Sequence, residues 1–223
     1  MKIGLDFGHG VNGDGGAVGL ITEQSLIDTI GVMVKTKLEA RGHTVILTRP
    51  ATATSTSNSL QKRCDTANNN RVDLFASIHA NVTVGGAGTE VFTYGGQKTA
   101  AATRVLNNIC AIGFKNRGIK DGSGLYVING TNMEAMLIEV CFIDSPADVA
   151  LYNGNKDRIS EAIAQGLTNQ VAPTAPPPVT TPPPTGGSLW TIQVGAFAVE
   201  ANADNKLNEV KKYFPDAFKK KIQ

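Results

Sequence analysis

The sequence predicts an α/β fold: an open, mostly parallel twisted sheet flanked by helices on both faces, followed by a small βαβ unit at the C-terminal end. Three observations predict it. Short apolar runs that read as buried strands alternate with longer segments of helical periodicity as far as residue 169. From Ala172 to Gly187 the chain becomes uncharged and proline-dominated, which favours extended polyproline II and makes a semi-rigid spacer. Beyond the spacer a strand–helix–strand pattern resumes. The expected organisation is a main domain over 1–170, a linker at 171–187 and a small repeat at 188–223.

Met1-Lys2-Ile3-Gly4-Leu5-Asp6 leads directly into a first strand. After the glycine-rich loop Gly10 to Gly19, Ser25 to Arg41 carries Leu26, Ile27, Ile30, Val34 and Leu38 on one helical stripe, and Gly42 closes that helix before the strand Thr44 to Thr48. Leu60 to Asn70 reads as a second helix and Asp73 to Ile78 as a strand. Gly88 to Tyr94 alternates as a further strand, and Thr99 to Phe114 as a third long helix. Leu125-Tyr126-Val127-Ile128 and Ala135 to Val140 supply two more strands, and Pro146 to Leu151 and Asp157 to Leu167 close the domain with helices. Such βαβ order argues for a mostly parallel sheet covered on both faces. In the tail, Leu189 to Phe197 alternates like a strand, Glu200 to Tyr213 is helical, and Ala217 to Ile222 is a second strand. So small a unit buries little area alone and calls for a partner: it pairs with a second copy through the repeat, giving a homodimer, or with another chain, or is a degraded remnant.

Composition bounds the function. The 223 residues are 41% hydrophobic and 18% charged, ordinary globular values and enough for one full core plus an appendage. A net charge of +2, with no long basic run, excludes nucleic acid as an expected partner. No apolar stretch reaches the about eighteen residues of a membrane span, so no membrane insertion is expected. Met1 is not followed by an apolar segment and cleavage site, which predicts synthesis in the cytoplasm without a signal peptide. Cys64, Cys110 and Cys141 lack paired spacing and sit inside apolar or helical patterns, so they read as buried thiols.

Four residues stand out against this frame: His9 in Asp6-Phe7-Gly8-His9-Gly10, Glu23, His79 in Ser77-Ile78-His79-Ala80-Asn81, and Glu139 in Leu137-Ile138-Glu139-Val140-Cys141. His9, His79 and Glu139 each follow or end an apolar strand. In an open α/β sheet, reactive groups collect outside the carboxyl ends of parallel strands, so residues far apart in sequence meet at one edge. Glu23 joins them from the first turn of the first helix. Two His and one Glu are an established ligand set for catalytic zinc, with one position left for water. The metal lowers that water's pKa to about 7, and a carboxylate that is not a ligand, here Glu139, serves as general base. The same two-His-one-carboxylate set holds Fe(II) for oxygen chemistry, but the reserve carboxylate favours hydrolysis. Arg63 reads as structural and His43 as exposed. Asn81 divides between substrate binding and an ordinary loop role, and Glu90 and Glu134 lack the strand-end context of Glu139.

Taken together in this order, the motifs resemble a known family. Asp6-Phe7-Gly8-His9-Gly10, Glu23, Thr48-Arg49, Arg63 with Ala67-Asn68, Ser77-Ile78-His79-Ala80-Asn81, Gly88-Thr89-Glu90-Val91 and Leu137 to Asp144 are similar to those of zinc-dependent N-acetylmuramoyl-L-alanine amidases of the amidase-3 type. That family occurs among bacterial autolysins and phage endolysins, and the resemblance covers about residues 1–169. It implies His9, Glu23 and His79 as Zn2+ ligands and Glu139 as the catalytic carboxylate. The implied reaction cleaves the amide between N-acetylmuramic acid and L-alanine of the peptidoglycan stem. At Asn132-Met133-Glu134-Ala135 the chain lacks the proline that the family often carries before its last strand, which leaves stem-peptide preference open. The tail, through Trp190 to Phe197 and the following helix, resembles one half of a SPOR-type peptidoglycan-binding module. Together these imply a wall hydrolase released through a holin-type pore or by cell lysis. The alternatives are a zinc peptidase acting within the stem peptide and a catalytically inactive wall-binding protein.

Overall fold

A computed structural model of the chain describes residues 1–11, 14–171 and 207. Its elements are β1 (Lys2–Phe7), α1 (Glu23–Ala40), β2 (Thr44–Leu47), α2 (Thr56–Asn69), β3 (Leu74–Asn81), β4 (Thr89–Thr93), a 3-10 turn (Tyr94–Gly96), α3 (Ala100–Cys110), β5 (Asn116–Asp121), α4 (Tyr126–Asn129), β6 (Glu134–Phe142) and α5 (Pro146–Thr168). The six strands lie in the order β2-β1-β3-β6-β4-β5. The first four of these run parallel, whereas β4 pairs with β6 antiparallel and carries β5 parallel to itself. The sheet is therefore mixed but mostly parallel, as the βαβ order implies.

Alternation along the strands divides the apolar side chains between two cores. Ile3, Leu5, Leu74, Ala76, Ile78, Met136 and Ile138 pack against Leu26 and Ile30 of α1, Val105 and Ile109 of α3, and Ile163 of α5. Phe75, Ala135 and Leu137 face the other way, onto Cys64 and Ala67 of α2 and Val127 and Ile128 of α4. Each long helix starts where a hydroxyl satisfies a free backbone N–H: Thr22, Ser55, Thr99 and Ser145 accept from Ser25, Asn58, Ala102 and Asp148 respectively. These caps explain why α2 begins four residues before Leu60. Its first turn, Thr56 to Ser59, is polar and shows no apolar period.

The structure corrects several expectations. Leu125 to Ile128 is not a strand; Tyr126–Asn129 is a short helix whose Val127 and Ile128 are buried in the smaller core. Four apolar residues are too few for periodicity to separate the two. Asn116–Asp121 is an edge strand that its polar composition concealed. Glu139 lies inside β6, which continues to Phe142. The two closing helices are present as expected and follow one another across a kink at Asn155, where φ is −136° and ψ is 23°. His43 is buried, with Nδ1 3.3 Å from the Met1 amine and Nε2 3.1 Å from the Gln170 carbonyl oxygen of its side chain. Cys64 and Cys141 are buried and Cys110 is half-buried. The linker beyond Val171 and the repeat at 188–223 lie outside the described residues, apart from Leu207, which is helical. No described helix is long and apolar enough to cross a membrane.

Candidate metal centre

The centre forms at the carboxyl ends of β1 and β3 and the amino end of α1. After β1 the backbone turns sharply at His9, whose φ of 54° lies in the left-handed region seldom adopted by residues other than glycine. Two arginines hold this turn. Arg63 of α2, only 2% exposed, donates from Nη1 to Asp6 Oδ1 at 2.7 Å and to the Phe7 carbonyl at 2.6 Å, and from Nη2 to the His9 carbonyl at 2.6 Å. Arg49 donates from Nε to the Phe7 carbonyl at 2.6 Å and from Nη2 to the Gly8 carbonyl at 2.7 Å. Asp6 is completed by the Thr48 and Ser77 hydroxyls at 2.9 and 2.7 Å. A buried charge pair survives only with its remaining donors and acceptors satisfied, and this one meets that condition. Arg63 is accordingly the structural residue that the sequence suggested.

Glu23 is the first residue of α1 and only 3% exposed. Its Oε1 accepts from the Ala80 backbone N–H at 3.0 Å and faces His79 Nδ1 at 3.1 Å. Its Oε2 accepts from the Ala17 N–H at 2.8 Å and lies 3.3 Å from His9 Nε2. The helix amino end favours a carboxylate there. The His9 and His79 rings meet edge to face at 4.9 Å between centroids. One ligand atom from each of His9, Glu23 and His79 lies within 4.8 Å of the others. Gly16 closes over the group: its φ is 71°, and a Cβ there would sit 2.5 Å from Glu23 Oε2 and 2.8 Å from His9 Cδ2.

Asp14 was not singled out by the sequence. Its Oδ1 lies 2.6 Å from His9 Nδ1, which fixes the ring and leaves Nε2 directed at Glu23. A carboxylate behind a ligand imidazole is a recurrent feature of metal sites. In a glycine-rich loop without periodicity, an Asp five residues after a His was its only signal.

Glu139 faces the same side of the sheet. It is the register partner of His79 across β3 and β6, and of Glu90 across β6 and β4. Its Oε2 is enclosed and has no hydrogen-bond partner among the described residues. Burial pushes the Glu139 carboxyl up to about 8, the charges of Glu23 and Glu90 add to the effect, and His9 and Lys120 oppose it. For Glu23 burial works against ionisation, but hydrogen bonds from His79, His9 and the Ala17 and Ala80 backbone hold its carboxyl well below the usual range. The hydrogen bond to Glu23 raises His9 to about 9 against the opposing effect of burial, with Asp14 contributing. Glu90 is 2% exposed and is held below its ordinary value, against burial, by Lys120 and Arg117.

The donor set fits a divalent metal. Two imidazoles and a carboxylate converge, the His9 ring is oriented by Asp14 behind it, and the neighbouring Glu139 oxygen has no partner of its own among the described residues. All four sequence-predicted residues are brought to one edge.

The N-acetylmuramoyl-L-alanine amidase family model matches residues 3–169, and the SPOR domain model residues 186–223. The chain is 31% identical over 214 residues to the sporulation-specific N-acetylmuramoyl-L-alanine amidase of Bacillus subtilis, covering 92% of this chain and 78% of that protein. It is 33% identical over 177 residues to an endolysin of Bacillus phage SPP1, covering 75% of this chain and 64% of that protein. Among solved structures, the amidase AmiC2 of Nostoc punctiforme matches with a TM-score of 0.67 and 31% identity, covering 76% of this chain and 96% of that one. Against three of the curated relatives it matches, the chain spans 52% to 64% of their length.

Proposed function

The chain belongs to the N-acetylmuramoyl-L-alanine amidase family over residues 3–169, and on that premise we propose that it hydrolyses the amide between N-acetylmuramic acid and L-alanine of the peptidoglycan stem. In this reading His9 Nε2, His79 and Glu23 hold a zinc ion, in keeping with the general zinc dependence of the family, and Glu139 moves the proton. The observation that carries the reading is the enclosed, unpartnered Glu139 Oε2 in register with His79, beside three ligand atoms within 4.8 Å of one another.

Held by His9, His79 and Glu23, zinc would supply Lewis-acid chemistry, lowering the pKa of a bound water to about 7 and polarising the lactyl carbonyl, and its charge would favour the ionised form of Glu139. Glu139 takes one proton from the attacking water as its oxygen bonds to the carbonyl carbon. The C–N bond breaks, and Glu139 returns that proton to the departing L-alanine amine. Asp14 keeps His9 in one orientation, and the Arg63 and Arg49 bonds hold the His9 backbone against drift.

The proposed organisation is a catalytic domain at 1–170, a proline-rich linker at 171–187 and a SPOR-type repeat at 188–223. A tethered wall-binding repeat raises the enzyme's local concentration at its substrate, and pairing with a second copy completes so small a unit. Release through a holin-type pore or by cell lysis is in line with the endolysin and the sporulation-specific amidase among its relatives.

The test is product release from purified peptidoglycan, with a chelator and with zinc restored. New amino termini identified as L-alanine, abolished by chelation and restored by zinc, establish the amidase. Amines from another stem residue make the protein a peptidase, and the absence of any product makes it a binding protein.

A further inference from the structure

Arg117 and Lys120 of β5 are three residues apart, and an unbroken strand would send them to opposite faces of the sheet. They nevertheless converge on one atom: Arg117 Nε and Lys120 Nζ lie 2.6 and 2.5 Å from Glu90 Oε2. The cause is local. The β4–β5 register shifts between Thr89 and Val91, and Gly118, between the two cations, has a φ of 89° that side-chain-bearing residues seldom adopt. Both stems are further guided by rings, with the Arg117 guanidinium 4.5 Å from the centre of Phe142 and the Lys120 ammonium 5.7 Å from that of Phe92.

One buried carboxylate thus faces two cations, and the group carries an excess positive charge. Arg117 spends only Nε on Glu90; its two terminal NH2 groups make no hydrogen bond among the described residues, and neither do the remaining Lys120 protons. Arg117 and Lys120 stay 28% and 38% exposed, so these donors are open to solvent. Glu90 stands directly opposite Glu139 in the antiparallel pair, and a third contact, Asn81 Nδ2 to Glu90 Oε1 at 3.1 Å, ties the cluster to the strand of His79.

We infer that Arg117 and Lys120 form a subsite for a free carboxylate of the peptide stem, so that the enzyme selects stems carrying that charge. The inference rests on the amidase reading and deepens it. A planar guanidinium fork with a neighbouring ammonium matches a carboxylate, which a carboxamide does not replace. The spacing suits it. Adjacent strands lie about 4.8 Å apart and the two side chains reach back over one strand. An extended peptide covers about 3.5 Å per residue. A carboxylate one or two residues beyond the bond attacked beside Glu139 therefore arrives at the fork.

The experiment compares purified peptidoglycan with the same material after its stem carboxyls are converted to amides by carbodiimide and ammonia. Initial rates of L-alanine amine release are measured at limiting substrate. The parent protein is expected to favour the free acid by about tenfold. Arg117→Lys keeps a cation beside buried Glu90 but removes the fork, and Lys120→Gln removes the second charge. Whatever each does to the absolute rates, it is expected to bring the ratio of the free-acid rate to the amide rate down toward one. Equal parent rates on the two substrates overturn the subsite, as does an equal loss on both in the variants. No L-alanine release from either material is a separate result: it sinks the amidase reading, and this inference with it.

Discussion

Replacing Glu139 by Gln separates what this side chain does for the reaction from what it does to the fold. In the metal-free protein burial lifts its carboxyl from 4.5 to about 8. A carboxyl raised in the folded state binds its proton more tightly there than in the unfolded chain. The contribution of Glu139 to stability is therefore greatest below pH 4.5 and is lost as pH rises toward about 8. At pH 7 the penalty extends over roughly 2.5 pH units, an upper bound of about 3 kcal/mol at 1.36 kcal/mol per unit. Glu139 is only partly enclosed, and solvent screening reduces this to about 1–2 kcal/mol. Glu139→Gln, neutral at every pH, is expected to match the parent near pH 4 and exceed it by about 1–2 kcal/mol at pH 7–8, with chelator present throughout. Zinc-loaded and assayed on peptidoglycan, the same variant is expected to lose about 10²- to 10⁴-fold in rate, the usual worth of a positioned general base. Urea denaturation across the pH series and amine release supply the two readouts. A variant no more stable than the parent at pH 8 than at pH 4, or one active within tenfold of it, would refute the assignment.

Three further outcomes follow from the surrounding residues. Asp14→Ala frees His9 Nδ1 and is expected to weaken zinc binding by about 10- to 100-fold, measured by competition with a chromophoric chelator, with little effect on the melting temperature. Arg63→Met strands the Asp6 carboxylate in the interior and is expected to destabilise the fold by about 3–5 kcal/mol, much of it recovered in Asp6→Asn/Arg63→Met; chemical denaturation of both variants checks this. Gly16→Ala places a Cβ against Glu23 and His9 in a left-handed backbone, and zinc content after dialysis is expected to fall to a small fraction of the parent's.

The four centre residues were legible because each lies against a signal that sequence exposes: an apolar strand ahead of His9, His79 and Glu139, and a helix start at Glu23. Glu139 shows the limit of that signal, since β6 runs three residues beyond it. The strand's own burial hides where it ends, because Val140, Cys141 and Phe142 are as apolar as what precedes Glu139. β5 was invisible for the opposite reason. Asn-Arg-Gly-Ile-Lys-Asp has one aliphatic residue, and its strand character comes from pairing with β4 at an edge rather than from burial. Asp14 and Glu90 act through partners distant in sequence or in irregular loops, where no period exists to be read. His43 looked like a surface residue beside a turn, but the Met1 amine and Gln170 close over it.

The reversed direction of β4 and β5 sorts the connections of this domain by tolerance to change. The parallel strands end at the metal centre, whereas β4 and β5 begin there, so residues 82–88 and 111–115 join the loops after β1, β2 and β6 on the reactive edge. The opposite edge holds 41–43, 70–73, 94–99 and 122–133. Of these, 94–99 combines an exposed Tyr94 with two glycines against which an added Cβ meets nothing closer than 3.4 Å. A fluorescent label, an epitope or an inserted domain placed there enters the chain a strand's length from the candidate metal centre, which makes that turn the natural handle for following this chain.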